Sequence, residues 1–259
     1  MTTTEQPLLP ETAAERPSRY DAWRARVAGD PRLQRLYGWL APVLITVLAA
    51  VLRLANLGHP HALVFDETYY VKDAWSQWNL GYASTWPEGA DARFVAGETD
   101  IFTTTGSFVV HPPLGKYLIG AGMWLFGPDN SFGWRFATAL AGTALVLVLF
   151  LLAKALTNST VLASVAAFLL AIDGLGIVMS RVALLDIFLA LLVLIAFWFV
   201  VLDRRRTLDR LATQTAKRER RSESGEVTPP AWGPVLWNRP WIIAAGAAAG
   251  AATAVKWSG

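Results

Sequence analysis

Apolar and polar positions are grouped along the chain in long blocks rather than in the short alternation of a sheet. Uncharged, mostly apolar runs occupy residues 37–52, 136–153, 155–172, 187–202 and 240–255. Runs of this length approach the roughly 20 residues that carry a helix across a hydrocarbon core. The pattern predicts five spanning helices at about 37–57, 133–153, 159–178, 182–202 and 240–257. A long loop at 58–131 and a second loop at 203–239 separate them, and residues 1–36 read as a polar, disordered arm. Within the first loop, Tyr117 to Pro128 is uncharged but only 12 residues long, which suits a helix lying along the membrane surface. The small residues Gly246 and Gly250, four apart, predict a helix-packing face.

Composition sharpens this picture. Of 259 residues, 54% are apolar and only 17% charged, against roughly 25% charged in an ordinary soluble domain. A soluble globular enzyme, a disordered chain and a small disulfide scaffold are excluded; with no cysteine, so is thiol chemistry. The expected fold class is an all-α polytopic membrane protein. A net charge of +3 would invite a nucleic-acid reading, but its placement does not. Residues 203–221 hold eight basic side chains against three acids, between two apolar spans, as a cytoplasmic loop does. The 58–131 loop has the opposite balance, three basic residues and eight acids, and suits the outer face.

Arg24, Arg26, Arg32 and Arg35 keep the N-terminus cytoplasmic, while Arg53, near the outer end of the first span, is placed to snorkel. Asp173-Gly174 and Ser180-Arg181 then fall in an outer joint. Some 36 mostly polar residues precede the first apolar run, so no cleavable signal peptide is expected. The last run meets Lys256-Trp257-Ser258-Gly259 with no polar tail, the pattern expected of the N-terminal part of a longer protein.

This topology gathers chemistry on the outer side. The loop carries His59-Pro60-His61, then Phe65-Asp66-Glu67-Thr68-Tyr69-Tyr70, then His111-Pro112-Pro113-Leu114-Gly115-Lys116. Arg135 opens the second span, and Asp173, Arg181 and Asp186 stand at the outer ends of the next two. Ionisable groups at the edge of apolar spans are expensive and are candidates for function, although Arg181 and Asp186 also suit a structural ion pair. One carboxylate opposed by Lys116, Arg135 or Arg181 fits group transfer from a phosphate-linked lipid. That reaction needs a base for the incoming hydroxyl and positive charge for the departing phosphate. Glycoside hydrolases generally need two facing carboxyls, which adjacent residues do not supply. His59 and His61 with Asp66 form a candidate metal set of low specificity.

Together, these segments, with Ser180-Arg181-Val182-Ala183-Leu184-Leu185-Asp186, resemble the bacterial protein O-mannosyltransferases, polyprenyl-phosphate-mannose–protein mannosyltransferases of the GT-C membrane class. The resemblance covers about residues 37–259, including Lys256 to Gly259. It implies a GT-C helical bundle in the bacterial plasma membrane with an extracytoplasmic active site, of which this chain would be an incomplete enzyme. The donor it implies is polyprenyl-phosphate-mannose, used with inversion; the acceptors are Ser or Thr hydroxyls of proteins during export. Asp66 matches the family's catalytic base and Glu67 its essential partner, assigned to positioning a substrate. Arg135 and Lys116 match residues suited to the donor phosphate, with Arg181 and His111 beside them, His111 more as a shaper of its turn. No cofactor or nucleic acid is implied. An enzyme of the same class moving arabinose or aminoarabinose onto a glycan or lipid is an alternative. A transporter or channel subunit using Arg181 and Asp186 is another, but it calls for broken spans and paired repeats, neither visible in the sequence.

Overall fold

A computed structural model describes residues 18–223 and 236–259; residues 1–17 of the expected arm and 224–235 of the expected second loop lie outside them. The chain divides into two compact units, residues 1–40 and 41–259. The first contains α1 (Arg19–Gly29) and the beginning of α2 (Pro31–Leu54). Ser18 caps α1 by accepting the Asp21 N–H at 3.1 Å, and Asp30 starts α2 by accepting the Arg32 N–H at 2.7 Å. The described part of the arm is thus helical, because two short polar caps start helices where composition alone suggested disorder.

The second unit holds the end of α2 and α3 (Glu67–Leu80), α4 (Ala90–Val95), α5 (Leu114–Phe126), α6 (Ser131–Thr157), α7 (Thr160–Ile172), α8 (Gly174–Arg181), α9 (Asp186–Glu223) and α10 (Pro240–Val255). Strand pairing among the described residues is limited to one isolated bridge, Ser84 with Gly106. By length and composition α2, α6 and α9 can each cross a membrane, and α7 with α8 makes a fourth, broken span bent by 58°. In lipid, a helix satisfies its own backbone, so these apolar blocks have one stable solution. At 16 residues, α10 extends about 24 Å, short of a hydrocarbon core of about 30 Å.

Three expectations change here. Span three is not continuous: it breaks at Asp173, whose carboxylate accepts the Gly176 N–H at 2.5 Å and so caps α8. The basic 203–239 stretch is helical as far as Glu223, because α9 continues past its apolar part. Gly246 and Gly250 are not packed; the residues that α10 buries are Ala245, Ala248, Ala252 and Val255. Helix packing through small residues occurs instead on α7. There Ala163, Ala167 and Ala171, four apart, are buried with Ala49 of α2 and with Val146 and Phe150 of α6.

A larger core joins α3, α5, α6, α9 and α10 through Tyr70, Val71, Ile119, Met123, Trp134, Leu185, Phe188 and Val255. The expected short helix is present as α5, and one of its faces is buried in protein. Lys116, Ile119, Gly120 and Met123 of α5 are buried, while Leu118, Trp124 and Leu125 remain outside.

Two arginines bind the break in span three to the end of α2. Arg53 does not snorkel: it is 1% exposed and donates to the Leu170 and Ala171 carbonyls at 3.3 and 3.2 Å and to Ser180 Oγ at 3.3 Å. Those carbonyls end α7 and have no partner within their own helix. Reciprocally, Arg181 donates to the carbonyls of Leu52, Arg53, Ala55 and Asn56 at 2.8–3.2 Å, capping α2. The exchange requires α6 to lie close, and Gly142 permits it: a Cβ there would stand 2.5 Å from Ser180 Cβ and 3.1 Å from Arg53 Nε. Gly142→Ala is expected to destabilise the bundle by about 1–3 kcal/mol, read as a lowered thermal-unfolding midpoint in detergent. An unchanged midpoint would mean that α8 yields without cost.

Candidate active site

The turn before α3 sets the site. Phe65 has φ 55°, a left-handed conformation costly for a bulky side chain, and it turns the chain sharply into Asp66. Asp66 occupies the N-cap of α3 but makes no side-chain cap bond, which leaves its carboxylate free for other work. Helical spacing then places Tyr70 and Asp73 on the same face. These residues, with Tyr69, Ser107, Phe108, Val110, His111 and Lys116, line a cleft of about 430 Å³.

Glu67 points the other way and is fully buried. Its Oε1 accepts Arg135 Nε at 2.7 Å and the Ala183 N–H at 2.9 Å. Its Oε2 accepts Arg135 Nη2 and the Val64 N–H, both at 2.8 Å. The remaining Arg135 N–H groups go to the carbonyls of Leu57, Pro60 and Ala62 at 3.3, 2.9 and 2.9 Å. All five guanidinium donors are thus spent. Arg135, expected at the donor phosphate, has nothing left to offer one. It and Glu67 hold the loop after α2, the start of α3 and the approach to α9 in one arrangement. Arg181, committed to the end of α2, is likewise not among the cleft-lining residues, nor does it pair with Asp186.

Lys116 does line the cleft. It is 1% exposed and its Nζ lies 2.8 Å from Asp73 Oδ2. A second pair stands nearby: Lys256, just past α10, bonds Asp186 Oδ1 at 2.7 Å, and its charge is felt at His111. Burial first, then the charges of Lys256 and Lys116, hold the His111 imidazole below its usual value, so it is neutral at pH 7. Burial first, then the carboxylates of Asp66 and Asp186, push the Tyr70 phenol up to about 12, which keeps it a proton donor toward Asp66.

Asp66, His111 and Lys116, which sequence reasoning set on one side of the membrane, line one cleft; it passed over Tyr70 and Asp73 beside them and Lys256, whose charge reaches His111. The spacing of Asp66, Tyr70 and Asp73 on one helix was the signal for two of them; Lys256 gave none. His61 is engaged elsewhere: its ring nitrogens meet Ser131 Oγ at 3.0 Å and the Val95 carbonyl at 3.1 Å, and it stacks on Trp134. Among the described residues no three His, Asp or Glu side chains converge to hold a metal ion. The break in span three is the kind of feature a transporter would show. Its freed carbonyls, however, are taken by Arg53 rather than presented to a cavity.

The helices define an all-α polytopic membrane protein, and Asp66, Asp73, His111 and Lys116 meet in one of its clefts. Residues 110–208 match the family described as Dolichyl-phosphate-mannose-protein mannosyltransferase. The chain is 35% identical over 88% of its length to the polyprenol-phosphate-mannose–protein mannosyltransferase of Mycolicibacterium smegmatis (strain MKD8), covering 40% of that protein. It is 36% identical over 90% of its length to the protein of the same name from Mycobacterium tuberculosis (strain H37Rv), again covering 40%. For the Corynebacterium glutamicum protein the figures are 32%, 86% and 39%. The resemblance to the bacterial protein O-mannosyltransferases therefore stands, with the all-α GT-C type of membrane fold. The chain spans about 40% of the length of the curated relatives it matches.

Proposed function

We propose that the chain carries the acceptor-activating part of a transferase that moves mannose from polyprenyl-phosphate-mannose to Ser or Thr hydroxyls of exported proteins. The observation that carries this reading is the Asp66 carboxylate, unused as a helix cap, in a cleft whose wall also holds Lys116. The names of the similar proteins supply the donor and the protein acceptor.

Asp66 takes the proton of the acceptor hydroxyl as its oxygen attacks C1 of the sugar. The bond from C1 to the phosphate oxygen breaks, and polyprenyl phosphate leaves as an anion that needs no protonation. A single displacement inverts C1. The cation facing that anion is Lys116 of the cleft wall, held by Asp73 until the donor arrives, with Lys256, held by Asp186, close enough for its charge to be felt at His111. Tyr70 donates toward Asp66 and orients it, and Glu67 acts through Arg135 as a positioning residue. The cleft lies outside the cytoplasm and the basic stretch of α9 inside it; the charge asymmetry of the loops supports that orientation in the bacterial plasma membrane.

The test is reconstitution of the purified protein in lipid nanodiscs with radiolabelled polyprenyl-phosphate-mannose and a Ser/Thr-containing peptide. Label is expected on peptide hydroxyls, with the anomeric configuration opposite to that of the donor. Transfer with retained configuration would overturn the single-displacement step. Label entering lipid or glycan and never peptide would overturn the choice of acceptor.

A further inference from the structure

Two residues of the cleft wall carry buried polar atoms that the proposed reaction does not use. Among the described residues five buried side-chain polar atoms lack a hydrogen-bond partner, and two of these, Ser107 Oγ and His111 Nδ1, belong to cleft-lining residues. An unsatisfied buried polar atom is costly, and in a cleft it points to a ligand group that completes it.

Both atoms sit on one strap, residues 107–113, that is fastened at three places. The Ser107 N–H donates to the Ala83 carbonyl at 2.9 Å, Trp257 Nε1 to the Val110 carbonyl at 2.8 Å, and Gln77 Nε2 to the Pro113 carbonyl at 3.0 Å. The backbone of the strap is therefore fixed at both ends and in the middle, so that a rotation of the Ser107 hydroxyl and the His111 ring is all that a ligand needs to reach the two unpaired atoms.

The chemistry of the surroundings selects the ligand. Lys116, the cation of the cleft wall, is matched by Asp73, Asp66 adds a further negative charge, and neutral His111 offers no charge to a phosphate, so the strap is suited to an uncharged part of the donor. Hydroxyl groups, which both donate and accept, suit a serine hydroxyl and a neutral imidazole. Tyr69 and Phe108, 66% and 89% exposed on the rim, present aromatic surface to the apolar C–H face that a sugar ring also carries. We infer that Ser107 and His111 form the hexose subsite, in which Ser107 Oγ and His111 Nδ1 hydrogen-bond hydroxyls of the donor's sugar ring. The inference rests on the mannosyl-donor reading above and assigns to these two residues recognition of the sugar rather than of the phosphate or the peptide.

The experiment measures binding of polyprenyl-phosphate-mannose and of bare polyprenyl phosphate to the protein in nanodiscs, together with the KM for the acceptor peptide. Ser107→Ala and His111→Phe are each expected to weaken mannosyl-donor binding about five- to tenfold, the worth of one hydrogen bond. Binding of bare polyprenyl phosphate and the peptide KM should not change. His111→Asn, whose amide can occupy the Nδ1 position, should restore most of the loss. Equal weakening of both lipids, or a raised peptide KM with donor binding intact, overturns the subsite. Donor preference kept by both variants overturns it alone. Absence of any preference for the mannosyl lipid in the unmutated protein overturns it together with the mannosyl-donor reading.

Discussion

Asp66→Asn should reduce mannose transfer by about 10²–10⁴-fold, the usual worth of a positioned general base, while the protein inserts and unfolds as before. Stability is spared because the carboxylate makes no cap bond to α3 and the amide is of the same size. The binding of polyprenyl-phosphate-mannose should survive, since the proton acceptor acts on the other substrate. Titration supplies an independent reading. The Asp66 charge is one of the causes that, after burial, push Tyr70 up to about 12. An anion beside a phenol disfavours phenolate, so its removal should move the Tyr70 titration downward in an ultraviolet pH scan. Near-normal transfer by the variant would remove Asp66 from the role of base. Lost transfer with an unmoved Tyr70 titration would separate the two side chains.

Glu67→Ala should instead destabilise the protein by about 3–5 kcal/mol, because it strands the Arg135 charge in the interior. Against a typical total stability of about 5–15 kcal/mol that loss is large. The Val64 and Ala183 N–H groups lose their acceptor as well. Glu67→Gln keeps the shape and part of the bonding and should be milder. Removing both partners should not rescue the fold here: the carbonyls of Leu57, Pro60 and Ala62 would still lack their donor. Arg135→Lys should fail too, since one ammonium cannot replace a planar fork serving five acceptors. Thermal unfolding in detergent, compared with transfer at a temperature where the variant is folded, separates the cases. A Glu67→Ala protein of unchanged stability that had lost transfer would place Glu67 at the substrate instead.

The two adjacent acids thus have opposite fates, and nothing in the dipeptide itself announces which is which. The sequence placed both near the membrane surface and assigned one to the proton. It also foresaw the helical blocks at α2, α6 and the apolar part of α9, because an apolar run of that length has few alternatives in lipid. It missed the break at Asp173, since an Asp between two apolar stretches reads equally well as a joint or as a cap. It misjudged Arg53, expected to reach toward headgroups, because the carbonyls that receive it belong to residues 117 and 118 positions away. Lys256 was quoted for resemblance alone; only the packing of α10 against α9 gives it a partner in Asp186, 70 positions earlier.

What the sequence determined by itself was local: which blocks are long and apolar enough to cross a membrane, and which loops carry each charge sign. Those features follow from hydropathy and charge summed over neighbouring residues. Which cations border the cleft was decided by tertiary structure. Of the arginines that seemed to await a phosphate, Arg135 is saturated by Glu67 and three carbonyls and Arg181 caps α2, while Lys116 borders the cleft beside Asp73. A guanidinium satisfies its donors wherever packing brings acceptors within reach, and that proximity is set by how helices pack, not by their order along the chain.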